Sequence, residues 1–134
     1  MATKMNLMGL GLPAPLANRM ADASDGAILV TAIGASQASA YQIGGAQALV
    51  VVNGSSTGLG VSLPAVGGDN GALLGDDFTI SNIYGGSVIV YAPGAAVIYQ
   101  GGVSTSGATG VSVSLAKLGT FYPVTPSVWI GQVN

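Results

Sequence analysis

The sequence predicts an all-β chain, an antiparallel β-sandwich or barrel of jelly-roll-like order, preceded by a short N-terminal arm and helix. Three observations predict it. Residues 27–134 break into apolar, β-branched runs of strand length, separated by Gly, Asn, Asp and Pro. The stretch Val111-Ser112-Val113-Ser114-Leu115 alternates apolar and polar, as a strand with one buried face does. Helical spacing is confined to the beginning of the chain, where Leu16, Met20 and Ala23 recur while Asn18, Arg19 and Asp22 face elsewhere. The boundary falls near Gly26, which divides an arm and helix (1–26) from a β-domain (27–134).

Each element has a local reason. Residues 1–12 read as an extended apolar arm. Pro13 or Pro15 suits a helix first turn, where a missing N–H costs nothing, and Ser24-Asp25-Gly26 ends the helix. Strands are expected near 28–33, 37–43, 47–53, 59–65, 78–83, 86–92, 95–100, 110–116, 119–124 and 127–133. Asn53-Gly54 is a strong turn pair. Pro93-Gly94 suits a type II turn with Pro second and Gly third. Asp69-Asn70-Gly71, among Gly67, Gly68 and Gly75, marks a longer loop.

Charge is the most unusual property of the chain. Only 6% of its 134 residues are charged, where a soluble domain usually carries about 25%. The charged residues are Lys4, Arg19 and Lys117 against Asp22, Asp25, Asp69, Asp76 and Asp77, a net charge of −2. Residues 26–68 and 78–116 hold none of these groups. Three basic residues cannot neutralise a run of phosphates, so no nucleic-acid partner is expected. There is no His, Glu or Cys, which removes imidazole bases, thiolate nucleophiles, disulfides and zinc knuckles. No cofactor and no enzymatic activity are expected. An apolar content of 49% excludes a disordered chain.

The mean hydropathy of +0.61 raises the question of a membrane. A spanning helix needs about 18 consecutive apolar residues, and the runs here are short, as in Ala27–Val30 and Ala48–Val52. Pro13 and Pro15 interrupt the N-terminal apolar stretch before a signal-peptide core forms. Neither a signal peptide nor a membrane partner is expected.

Several motifs fit in letters and fail in context. Gly9-Leu10-Gly11-Leu12-Pro13-Ala14 matches a loose dinucleotide fingerprint but lacks a preceding strand and a βαβ frame. Ser114-Leu115-Ala116-Lys117 has Ser–Lys nucleophile spacing, which works on a helix, whereas Ser114 is the wet position of an alternating strand and Lys117 begins a turn. Asp69, Asp76 and Asp77 could offer oxygen ligands to a cation, yet their spacing matches no known loop and solvated turn aspartates are commoner. Trp129, the single tryptophan, stands in an apolar strand, where core or interface packing is the usual role rather than a sugar platform.

Two strands are apolar on both faces, Leu49-Val50-Val51-Val52 and Val88-Ile89-Val90-Tyr91. An antiparallel sheet normally leaves one face to water. With so few surface charges, the expectation is that these strands pack on another copy of the chain, with Val50, Val52, Val88, Val90 and Trp129 as candidate interface residues. The competing reading is that the chain's own loops bury these strands.

The segment Gly9-Leu10-Gly11-Leu12-Pro13-Ala14-Pro15-Leu16-Ala17 and the C-terminal half resemble a group of small structural proteins of tailed bacteriophages. In the C-terminal half the resemblance lies in Gly75-Asp76-Asp77-Phe78-Thr79-Ile80-Ser81-Asn82, Ser87-Val88-Ile89-Val90-Tyr91-Ala92-Pro93 and Ala96-Val97-Ile98. It continues through Val111–Lys117, Phe121-Tyr122 and Trp129. Members of that group look like head decoration or cement proteins, β-rich trimers at local three-fold positions of the capsid. The resemblance implies a structural virion protein on the outer capsid surface, with the major capsid protein as partner. Met5, Leu7, Met8, Leu10 and Leu12 of the arm are then the candidate capsid contacts. A receptor- or glycan-binding module of a phage tail or fibre is the alternative.

Overall fold

A computed structural model describes residues 28–45, 47–53, 58–84 and 86–134, and these contain eleven strands and no helix. The expected arm and helix, with Met5, Leu7, Met8, Leu10 and Leu12, lie outside the described residues. So does Gly54 of the expected Asn53-Gly54 turn. The strands are β1 (Ile28–Val30), β2 (Tyr41–Gln42), β3 (Leu49–Asn53), β4 (Gly60–Ser62), β5 (Phe78–Tyr84) and β6 (Val88–Tyr91). They continue with β7 (Val97–Gln100), β8 (Val103–Ser106), β9 (Val111–Val113), β10 (Leu118–Thr125) and β11 (Val128–Val133).

The strands form two sheets. A seven-stranded sheet has the order β1-β3-β5-β10-β11-β7-β8, and a four-stranded sheet has the order β2-β4-β6-β9. From β1 to β7 the chain places each successive strand in the other sheet. Strands two apart therefore become neighbours, and they run parallel: β1 with β3, β3 with β5, β2 with β4, and β4 with β6. The remaining strands pair mostly antiparallel, β7 with β8, β10 with β11 and with β5, and β6 with β9. β11 with β7 is parallel. The expectation of an antiparallel, jelly-roll-like order is thus corrected: the chain is mostly β, in two mixed sheets. A short connection between strands normally reads as a hairpin, but here most short connections carry the chain across to the opposite sheet.

One hydrophobic cluster draws on both sheets. Val30, Val50, Val52, Phe78, Ile80, Ile98, Phe121 and Trp129 come from the larger sheet; Val61, Val88, Val90, Val111 and Val113 come from the smaller. Alternation decides which side of each strand points inward. In β5, Phe78, Ile80 and Asn82 are buried while Ile83 is exposed. In β9, Val111 and Val113 are buried and Ser112 is exposed, as the alternating sequence requires. Phe121 lies over two strand glycines. A Cβ at Gly119 would meet its ring at 2.7 Å and one at Gly131 at 2.9 Å, so only glycine leaves room for the phenyl group there.

The turns follow their residues. Gln100 pairs with Val103, so Gly101-Gly102 forms a two-residue hairpin loop, with φ of 58° and 82°. Both central residues are left-handed, as a type I′ turn demands. This hairpin creates β8, which was absent from the sequence expectation because Val103-Ser104-Thr105-Ser106 carries one apolar residue. Pro93 opens its turn rather than standing second: Ala96 N–H donates to Pro93 O at 3.0 Å, and Gly94 is second with φ 54°.

Ser114-Leu115-Ala116-Lys117 is a turn as well, closed by Lys117 N–H to Ser114 O at 3.1 Å. Its third residue, Ala116, has φ 63° and is the one non-glycine in the left-handed region among the described residues. The Cβ of an L-residue costs about 1–2 kcal/mol in that conformation. Ala116→Gly is therefore expected to stabilise the protein by up to about 1 kcal/mol, after the entropy lost by glycine is subtracted. Urea unfolding reads this as a higher midpoint at unchanged slope; a lower midpoint would refute the strain.

Candidate functional site

No strand of either sheet carries a charged residue. The described charged groups stand outside the strands: Asp69, Asp76 and Asp77 in the connection before β5, and Lys117 in the turn before β10. Among the described residues, no three metal-ligating side chains come together, so the aspartates do not assemble a cation site there. Asp76 serves its own loop, accepting a hydrogen bond from Leu73 N–H at 2.9 Å. Ser114 and Lys117 belong to one tight turn, and no general base of the His, Cys or Glu type exists in the chain.

The five proposed interface residues face inward. Val50, Val52, Val88, Val90 and Trp129 are each fully buried within a single chain. They have no surface left to give to another copy, and this corrects their assignment to an interface. The two doubly apolar strands also differ from one another. In β6 the outward Tyr91 is only 4% exposed, because its ring lies over Gly60 of the neighbouring β4. The chain itself covers that strand. In β3 the outward residues Leu49 and Val51 remain accessible.

The register locates the rest of that open face. One row across the larger sheet reads Leu29, Val51, Ser81 and Leu118 on β1, β3, β5 and β10. The next reads Leu49, Thr79, Thr120 and Gln132, ending on β11. A third reads Tyr122, Ile130, Tyr99 and Ser104, from β10 to β8. Leu29 is 64% exposed and Ile83 56%, with Leu118, Leu49, Tyr99 and Val124 also exposed. The face therefore has two apolar fields. One spans β1, β3 and the adjoining ends of β5 and β10, and the other spans β10, β11 and β7. Thr79, Thr120 and Gln132 lie between them, polar and uncharged, and Ser81 lies within the first.

Sequence reasoning singled out the buried side of β3 and β11 and, in β6, a strand of the other sheet. The usable signal was in β5, where Phe78-Thr79-Ile80-Ser81-Asn82-Ile83 leaves Ile83 as a large apolar residue at a wet position.

Open clefts lie among the described residues, two of them of about 500 Å³ or more. The larger, about 540 Å³, is lined by Gln37, Gln42, Ser62, Asn70 and Pro93 among others, with no aromatic and no charged side chain. Gln37 Nε2 donates to the carbonyls of Ala92 and Gly94, and Gln42 Nε2 to those of Ile43, Ser62 and Leu63. These amides hold backbone in place. Comparison with family models, with curated proteins and with solved structures finds no match to this chain.

Proposed function

We propose that this chain is a structural virion protein, a trimeric decoration or cement protein on the outer surface of a phage head. In this reading its two mixed sheets pack as a sandwich that presents apolar surface to its neighbours and to the major capsid protein. The observation that carries the proposal is the absence of charge from every strand, together with a broad, open, apolar sheet face. A protein built to hold other proteins needs such faces and needs no reacting groups. The resemblance of the N-terminal segment and the C-terminal half to small phage structural proteins supplies the setting. The alternative, a glycan-binding module, gains no support from the larger cleft, which offers no aromatic platform.

In this mechanism the arm residues Met5, Leu7, Met8, Leu10 and Leu12 lie on the capsid. Their burial supplies affinity at about 25 cal/mol per Å², less the cost of ordering the arm. Deleting residues 1–12 is expected to abolish decoration of purified heads and leave the assembly state of the free protein unchanged. Quantitative electrophoresis of sedimented particles measures this. Full occupancy by the truncated protein would sink the arm's role, and a copy number of only a few per particle would favour the adhesin.

A further inference from the structure

We infer that the outward face of the seven-stranded sheet is where a second copy of this chain docks. The inference rests on the reading above only in requiring self-association; a face packed on its own copy is a two-fold contact, separate from the three-fold contact of a trimer. Four observations carry it.

The first is pairing. Sheets built from parallel strands are ordinarily covered on both faces. The parallel set β1-β3-β5 is covered on its inner face by the core, while Leu29, Leu49, Val51 and Ile83 stand on its other face. The second is charge. The face carries no charged residue, so a strongly acidic or basic partner finds nothing to pair with. Two copies, by contrast, meet there without like-charge repulsion.

The third is size. Seven strands at about 4.8 Å spacing make a face about 30 Å across. With strands on the order of 20 Å long, this approaches the roughly 800 Å² that each partner gives to a stable interface. Six exposed apolar side chains at about half exposure leave on the order of 500 Å² of apolar area, the range at which a patch marks an interaction site. The fourth is shape. Two apolar fields flank a polar, uncharged strip, and their breadth suits another flat sheet packed about 10 Å away. A copy laid across the strip by a two-fold rotation sets apolar field on apolar field and Thr and Gln on one another. The residues that define the surface are Leu29, Leu49, Ile83, Leu118, Tyr99 and Ile130.

Sedimentation velocity on the full chain at tens of micromolar tests this, with Ile83→Lys/Leu118→Lys as the variant and Leu74→Lys as the control. Leu74 is equally exposed but lies in a loop outside the strands. The wild type and the control are expected to sediment as an oligomer. The double variant is expected to dissociate at least tenfold more readily while keeping its circular dichroism spectrum and thermal midpoint. A monomeric wild type would overturn the inference, as would a folded double variant that assembles like the wild type. If the wild type is monomeric and removal of residues 1–27 makes it associate, the arm covers the face and the second copy does not. Head decoration, measured separately, distinguishes the outcomes: a monomeric double variant that still coats capsids retains the virion role and refutes the need for assembly.

Discussion

Replacement of Trp129 by alanine is expected to destabilise the protein by about 3–5 kcal/mol, the range for removing a large aromatic side chain from a closed core. Trp129 is fully buried on β11, between Pro123 of β10 and Ile98 of β7 in the register. Its ring centroid lies 5.7 Å from that of Phe78, with the planes at 56°, a tilted arrangement that adds to area burial. A domain of this size has a total stability of about 5–15 kcal/mol, so the loss is large enough to leave the variant partly unfolded at ambient temperature. Trp129→Phe separates two contributions. The indole Nε1 is buried without a hydrogen-bond partner, an arrangement that itself costs about 1–3 kcal/mol. Phenylalanine keeps most of the packing and removes that donor, so its loss should be less than half that of alanine. Urea unfolding followed by circular dichroism measures both. An alanine variant within about 1 kcal/mol of wild type would show that Trp129 is not a keystone of the core.

Strand positions were legible in the sequence because period-two patterning and turn residues are local. Ten strands were expected, and each overlaps one that is found. Pairing was not legible, because it depends on where each connection sends the chain. The four residues between β8 and β9 are as short as a hairpin loop, yet β8 and β9 belong to different sheets. Nothing in Leu49-Val50-Val51-Val52 says which two residues face the core, since all four are apolar. The register with β5 decides it, by placing Val50 beside Ile80 and Val51 beside Ser81. The same limit explains the misassigned interface. Val88, Val90 and Trp129 were chosen for their apolarity, which is also why they are in the core, whereas Leu118 and Ile83 sit alone among polar neighbours and carry the open face.

Asn82 is expected to be the most sensitive polar position: Asn82→Ala should cost about 2–4 kcal/mol. Asn82 is fully buried on β5 of the larger sheet. Its Nδ2 donates to Gly86 O at 2.8 Å and to Val113 O, on β9 of the smaller sheet, at 2.9 Å. Its main chain joins the same region, with Asn82 N–H on Lys117 O and Ala116 N–H on Asn82 O. One residue thus ties the two sheets and the 114–117 turn together. Alanine removes both side-chain bonds, and the one to Val113 O is buried; leaving a buried group unpaired costs more than the bond itself is worth. Only an NH₂ group can serve two carbonyl acceptors, which also fixes the orientation of the amide. Asn82→Asp therefore gives a sharper test. A carboxylate would face the two carbonyls in a buried site, so the charged form is disfavoured and the folded-state pKa rises above the unfolded value. A raised folded pKa makes the neutral form the stabilising one. The variant's stability is then greatest below the usual carboxylate range and is lost as pH rises through the folded pKa. Thermal unfolding of the aspartate variant should show its midpoint falling between acid and neutral pH relative to Asn82→Ala, which has no such titration. Parallel pH profiles for the two variants would mean that Asn82 contributes volume alone and that the sheets are held without its clasp.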